Sequence, residues 1–101
     1  MELPEKLKQV VLYPGSKIQQ VMDMGVQSMA ILGVRADPDA LLDFYRQNLS
    51  SKGWKIAAQF DQEDGAGITF SKDGQMIQIA VKKDEDDARM LQYQLIFIGG
   101  N

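Results

Sequence analysis

The sequence predicts an α+β fold, a two-layer sandwich with one helix packed on a twisted antiparallel sheet, in the order β-β-α-β-β-β-β. Three observations predict it. Only the segment from Pro38 to Lys52 carries apolar residues at helical spacing with start and stop signals at its ends. The segments around it alternate apolar and polar residues at period two or are short apolar runs, the marks of strands. A chain of 101 residues, 45% apolar, is long enough for one hydrophobic core and too short for two.

Residues 1–16 read as an N-terminal arm, with Val10-Val11-Leu12-Tyr13 as a possible short strand and Pro14-Gly15 as a turn. Residues 17–101 form the single α+β domain. From Lys17 to Met24, Ile18, Met22 and Met24 share a face at period two. Gly25 then turns the chain into a second strand, Val26 to Arg35. That strand is apolar on both sides: Ala30, Leu32 and Val34 point one way, Met29 and Ile31 the other, as in a strand covered on both faces or central in its sheet.

The helix is specified at both ends. Asp37 is a good N-cap, Pro38 occupies the first helical position, where no amide donor is required, and Asp39 complements the positive end of the dipole. Leu41, Leu42, Phe44, Tyr45 and Leu49 fall on one side. Gly53 suits the left-handed C′ position, which places Trp54 at C″ against Leu49 at C3, the hydrophobic contact of a Schellman motif. Asp37, Tyr45, Leu49, Gly53 and Trp54 are therefore read as structural residues. Four strands follow, Trp54 to Phe60, Ala66 to Lys72, Gln75 to Lys82 and Met90 to Ile98, and Asp73-Gly74 is a type I′ hairpin signal. In the first of these strands Trp54, Ile56, Ala58 and Phe60 share a face.

Composition excludes several chemistries. There is no cysteine, hence no disulfide, thiolate metal site or thiol nucleophile, and no histidine, the commonest general base. The net charge of −3 and eleven scattered basic residues offer no stripe for phosphate, so no nucleic-acid partner is expected. The longest apolar stretches are too short to span a bilayer. The serines lack a histidine to activate them, and Gly65-Ala66-Gly67 opens no helix, so it is no phosphate loop. The chain reads as non-catalytic, with no cofactor.

Two constellations remain as candidate sites. In a four-strand meander the first and third connections emerge at one end. Asp61, Glu63 and Asp64 then lie near Asp84, Glu85, Asp86 and Asp87, and Asp61, Glu63, Asp64, Asp84 and Asp86 are a candidate cation site. Gly65 and Ala66 break the spacing of a calcium loop, and solvated turn carboxylates that discourage edge pairing are the plainer reading. If the helix covers the face of Ile77, Ile79, Leu91, Tyr93, Leu95 and Phe97, then Met29, Met76, Ala80, Met90, Ile96 and Ile98 lie on the other face. That second face is a candidate ligand or partner surface, unless the arm folds over it.

The phrase Tyr13-Pro14-Gly15-Ser16-Lys17, followed by Asp37-Pro38 and by Phe44-Tyr45 with Leu49 and Gly53-Trp54, resembles a family of small uncharacterised bacterial domains. Members open with Tyr-Pro-Gly-Ala/Ser-Lys and carry Phe-Tyr-x3-Leu-x3-Gly-Trp on their helix. The resemblance implies an exported setting, in the periplasm or cell envelope, if a leader has been removed; without one the chain is expected in the cytoplasm. It transfers no catalytic residue. Two function classes follow. The first is an interaction or scaffolding module of the bacterial cell envelope, meeting an unknown protein partner or a second copy through the second sheet face. The alternative is a domain that binds or senses a small apolar ligand.

Overall fold

Turn chemistry fixes the sheet. In the computed structural model, which describes residues 2–84, 86–87 and 89–99, Asp73 and Gly74 both take positive φ, 50° and 79°, as a type I′ turn requires. They join strand β4 (Gly65–Lys72) to β5 (Gln75–Lys83) with Lys72 opposite Gln75. The other strands are β1 (Lys17–Asp23), β2 (Gln27–Val34), β3 (Lys55–Gln62) and β6 (Leu91–Ile98). All six pair antiparallel in the spatial order β1-β2-β6-β5-β4-β3. The one crossover is made by helix α1 (Pro38–Ser51). Its fourteen residues rise about 21 Å, enough to carry the chain over the four strand spacings, about 19 Å, that separate β2 from β3. The meander β3 to β6 then returns until β6 pairs with β2. The fold is the α+β arrangement that the sequence predicts.

The helix ends follow the same logic. The Asp37 carboxylate accepts a hydrogen bond from the Asp39 amide at 3.1 Å. At the other end Gly53 takes φ +92°, its N–H donates to Ser50 O at 3.1 Å, and the Trp54 N–H donates to Leu49 O at 3.0 Å. These are the two bonds of a Schellman motif. Trp54 is buried edge-on to Phe97, and Lys72 Nζ donates to Lys52 O at 2.7 Å, a cation placed on the negative end of the helix dipole.

One face of the sheet carries the core. Ala30, Leu32 and Val34 of β2, Ile68 and Phe70 of β4, Ile77, Ile79 and Val81 of β5, and Leu91, Tyr93, Leu95 and Phe97 of β6 are buried against Leu41, Leu42, Tyr45 and Leu49 of the helix. The helix touches β3, β4 and β5, and the N-terminal arm touches β2 and β6. The arm holds a 3₁₀ turn, Glu5–Gln9, and its Val10 is extended, with no strand formed there. This corrects the expectation of a strand at Val10 to Tyr13. Leu7 and Val10 are buried in the core, so the arm lies on the helix side, and among the described residues none of the arm covers the second face. Lys6 fastens it, donating to Gly25 O at 2.8 Å and to Gly99 O at 3.3 Å, with Nζ 5.9 Å from the Phe97 ring centre.

Buried hydroxyls stitch arm, helix and sheet together. The Tyr13 N–H donates to Tyr45 Oη at 3.3 Å, Tyr45 donates to Tyr93 Oη at 3.4 Å, and Tyr93 Oη and Ser16 Oγ share a 2.6 Å hydrogen bond. The Tyr-Pro-Gly-Ser turn thus brings an amide and a hydroxyl to two tyrosines that are themselves fully buried. Burial pushes the Tyr45 phenol well above the usual tyrosine range, and the neighbouring Tyr93 adds to the shift.

Two β-bulges overturn the facing expected of the edge strands. In β1 the register shifts between Ile18 and Gln20, which leaves Ile18 opposite Leu32 on the core side and Met22 opposite Met29 on the open side. In β3 it shifts between Ile56 and Ala58: Ile56 stands opposite Phe70, but Ala58 faces Thr69 and Phe60 faces Gly67. Trp54, Ile56, Ala58 and Phe60 therefore do not share a face. A bulge adds one residue to one strand, and alternation beyond it inverts.

Candidate ligand-binding site

The β3–β4 hairpin is thinly covered. All eight residues of β3 are exposed, and β4 opens with Gly65-Ala66-Gly67, three residues that bring almost no side-chain volume to either layer. The inversion at the β3 bulge turns Gln59, opposite Ile68, and Asp61, opposite Ala66, toward the helix, and sends Phe60 and Gln62 to the open face. Space is left on both sides.

On the helix side a cleft of about 310 Å³ is floored by Leu42 and Ala66 and edged by Asp39, Arg46, Gln59, Phe60 and Asp61. Arg46 spans it, its Nε and Nη2 donating to Gln59 Oε1 at 3.3 and 3.0 Å while Nη1 pairs with Asp43. A smaller recess of about 140 Å³ continues past the first helical turn between Pro38 and the hairpin end. On the open face a depression of about 240 Å³ is floored by Gly65 and Ala80, walled on one side by Phe60 and Gln62 and on the other by Gln92 and Gln94, with Lys82 and Asp64 at its end. Ala66 borders all three spaces.

The Phe60 ring lies on Gly67. A Cβ at Gly67 would stand 2.3 Å from a Phe60 ring carbon and 2.9 Å from Ile79 O, so only glycine allows the ring to approach the strand this closely. Phe60 is itself 50% exposed.

The residues singled out from sequence divide between regions. Met29, Met76, Ile96 and Ile98 come together: Met29 is opposite Ile96 and Met76 opposite Ile98, all half-buried on the open face. With Met22, and with Met24 and Val26 in the β1–β2 turn, they make an apolar end to that face. Met90 does not join them. It precedes β6, in a turn where its N–H donates to Asp87 O and its carbonyl accepts from the Asp84 N–H, at the strand end opposite Ile98.

The acidic residues also divide. Asp61, Glu63 and Asp64 border the recess beside the helix start, while Asp84 and Asp86 border a separate polar hollow with Gln19, Lys82 and Gln92. Among the described residues no three acidic groups are placed to hold a metal ion; Glu85 lies outside them. Asp84 accepts from the Asp86 amide, and Asp87 from the Arg89 amide and side chain, which lowers the Asp87 carboxyl below the usual range.

Sequence reasoning places Ala80 on the open face, as found, but passes over Phe60 and its partner Gly67 because alternation without the bulge puts Phe60 in the core. Two glycines inside one strand were the available signal of a close approach.

A family of START domain-like proteins matches residues 17–88, which covers more than two-thirds of the chain and begins at the first residue of β1. None of the curated proteins and none of the solved structures matches it.

Proposed function

The chain belongs to the START domain-like family, and from that membership we propose that it binds a small, largely apolar ligand, non-catalytically, at the distal half of the β3–β4 hairpin. The observation that carries this reading is the Gly65-Ala66-Gly67 run beside an edge strand with no buried residue, which leaves accessible volume on both sides of one hairpin. The space between helix and sheet farther along is filled by Tyr45, Tyr93, Phe70 and Phe97, so a ligand there has to displace core side chains. Both depressions set apolar side chains beside charged and amide groups, a lining that can hold an apolar body and orient a polar end. Dodecanoate is a suitable probe. Titrated into isotope-labelled protein, it is expected to give saturable amide shifts at Gln59 to Asp61 and Gly65 to Gly67; the absence of any saturable shift overturns the reading.

A second reading has its own support. The apolar end of the open face, with Met22, Met24 and Val26 exposed, suits a protein partner or a second copy, as in an interaction module. Sedimentation tests the second copy: a strict monomer at high concentration removes it. The likeness of the turn and helix phrases to exported domains supports a periplasmic or envelope setting, and fractionation of cells making the full-length gene product tests that.

A further inference from the structure

The sheet ends in two edge strands, β1 and β3, and the β3 edge is complementary to itself. Every residue of β3 is exposed. The two-residue turn Glu63-Asp64 closes the hairpin on the pair Gln62 and Gly65, so Gln62, Phe60 and Ala58 spend their N–H and C=O groups on β4. Gln59 and Asp61, between them, direct theirs outward along the edge. Past the bulge, Ala58 to Gln62 pair with β4 without a shift, so the outward groups are regularly spaced.

A two-fold axis normal to the sheet brings β3 of one copy antiparallel to β3 of another. With Phe60 opposite Phe60, Gln59 of each copy stands opposite Asp61 of the other, and both of these pairs are of the hydrogen-bonding kind. Their side chains fit. Arg46 Nε and Nη2 occupy Gln59 Oε1 at 3.3 and 3.0 Å, which leaves the Gln59 Nε2 hydrogens to donate to a carboxylate. Directly opposed residues have Cβ atoms about 5 Å apart, so the Arg46 guanidinium held on Gln59 also comes beside that carboxylate. Gln59 and Asp61 face the helix side and Phe60 the open side, so each pair shares a face.

Neighbouring registers fail. A slip by one residue reverses the faces and sets outward groups against groups already bonded to β4. A slip by two either opposes the two Asp61 carboxylates or carries Asp61 to Ala57, in the bulge. The β1 edge gives no such fit. Centred on Met22, it sets Val21, which packs on the core, opposite Asp23, whose carboxylate already accepts from Gly25 N–H and Ser28 Oγ.

We propose that the β3 edge is an interface to a second copy of this chain: antiparallel pairing centred on Phe60, with Gln59 and Arg46 of each copy against Asp61 of the other, joins two six-stranded sheets into one. The interface uses the strand edge and leaves the apolar end of the open face outside it.

Sedimentation equilibrium of the full chain, with amide exchange followed across a concentration series, tests it. A dimer is expected. With rising concentration, exchange slows at Gln59 and Asp61, while Ala58, Phe60 and Gln62, already bonded to β4, change least. Gln59→Pro removes an outward N–H without touching the bonds to β4 and should weaken the dimer about tenfold or more. If that variant does not fold, Phe60→Lys decides: it sets two ammonium groups opposite each other from an exposed position and should weaken the dimer severalfold. A strict monomer overturns the proposal, and so does a dimer that either folded variant leaves unchanged. A dimer broken by Met29→Lys but not by Gln59→Pro lies on the open face and overturns it too.

Discussion

The two edge strands solve one problem with different materials. Each is bulged near its start, and each lays a side chain over a glycine of the neighbouring strand: Gln19 over Gly33 at β1, Phe60 over Gly67 at β3. At β1 the cover is polar and tied, since Gln92 Nε2 donates to Gln19 Oε1 at 3.2 Å, and Ile18 and Val21 pack from below against the core. At β3 the cover is an untethered ring, no residue of the strand is buried, and the helix holds it through exposed Arg46 and Gln59. The difference teaches where the fold has spare capacity. One edge is closed by Ile18 and Val21 against the core and by the Gln19–Gln92 hydrogen bond, and the other is left thin, with open volume on both of its sides.

Five perturbations test that contrast, in falling order of effect. Trp54→Ala removes the buried ring that anchors the helix just before β3 and should cost about 3 kcal/mol or more, read by urea unfolding; a loss below about 1 kcal/mol breaks the anchoring account. Gly67→Ala pushes a Cβ into the Phe60 ring and against Ile79 O, and should cost about 1–3 kcal/mol. Its counterpart Gly33→Ala meets only the Nε2 end of Gln19, which can swing aside, so a change within about 0.5 kcal/mol is expected. Equal costs at the two glycines would erase the distinction between the edges. Between these two falls Tyr45→Phe, which takes the acceptor from Tyr13 N–H and a donor from Tyr93 and should cost about 1–2 kcal/mol.

The smallest effect is on pH dependence. Because the Tyr45 phenol is raised in the folded state, the unfolded chain ionises first, and stability is full below the ordinary tyrosine value of about 10 and falls as pH rises above it. Tyr45 should form tyrosinate only as the protein unfolds, and Tyr45→Phe should show a shallower alkaline loss. Ionisation of Tyr45 ahead of unfolding, read as the tyrosinate absorbance that Tyr45→Phe removes, would contradict its burial.

The helix was fully legible because its signals are local. Asp37, Pro38, Gly53 and Trp54 each act within a turn of the backbone they cap, and the structure places every one as the spacing implies. The central strands were legible for a related reason: strict alternation in β5 and β6 leaves one register that buries Ile77, Ile79, Tyr93 and Leu95. The bulges were not. A bulge is set by how an edge strand relaxes against its neighbour, and nothing in Lys55-Ile56-Ala57-Ala58 marks the shift, so the open-face depression beside Phe60 is not legible in the sequence. Where the arm lies was equally illegible, because Leu7 and Val10 could bury against either face. Only the register of Tyr13 and Ser16 with Tyr45 and Tyr93 fixes the side.

Hydrogen exchange of the backbone amides, measured with and without saturating dodecanoate, tests the central claim most directly because it compares the two edges in one experiment. The account predicts that the ligand slows exchange in β3 and the first half of β4 and leaves β1 and its pairing with β2 unchanged. Protection centred on β1 and β2, or spread evenly over the sheet, would contradict it.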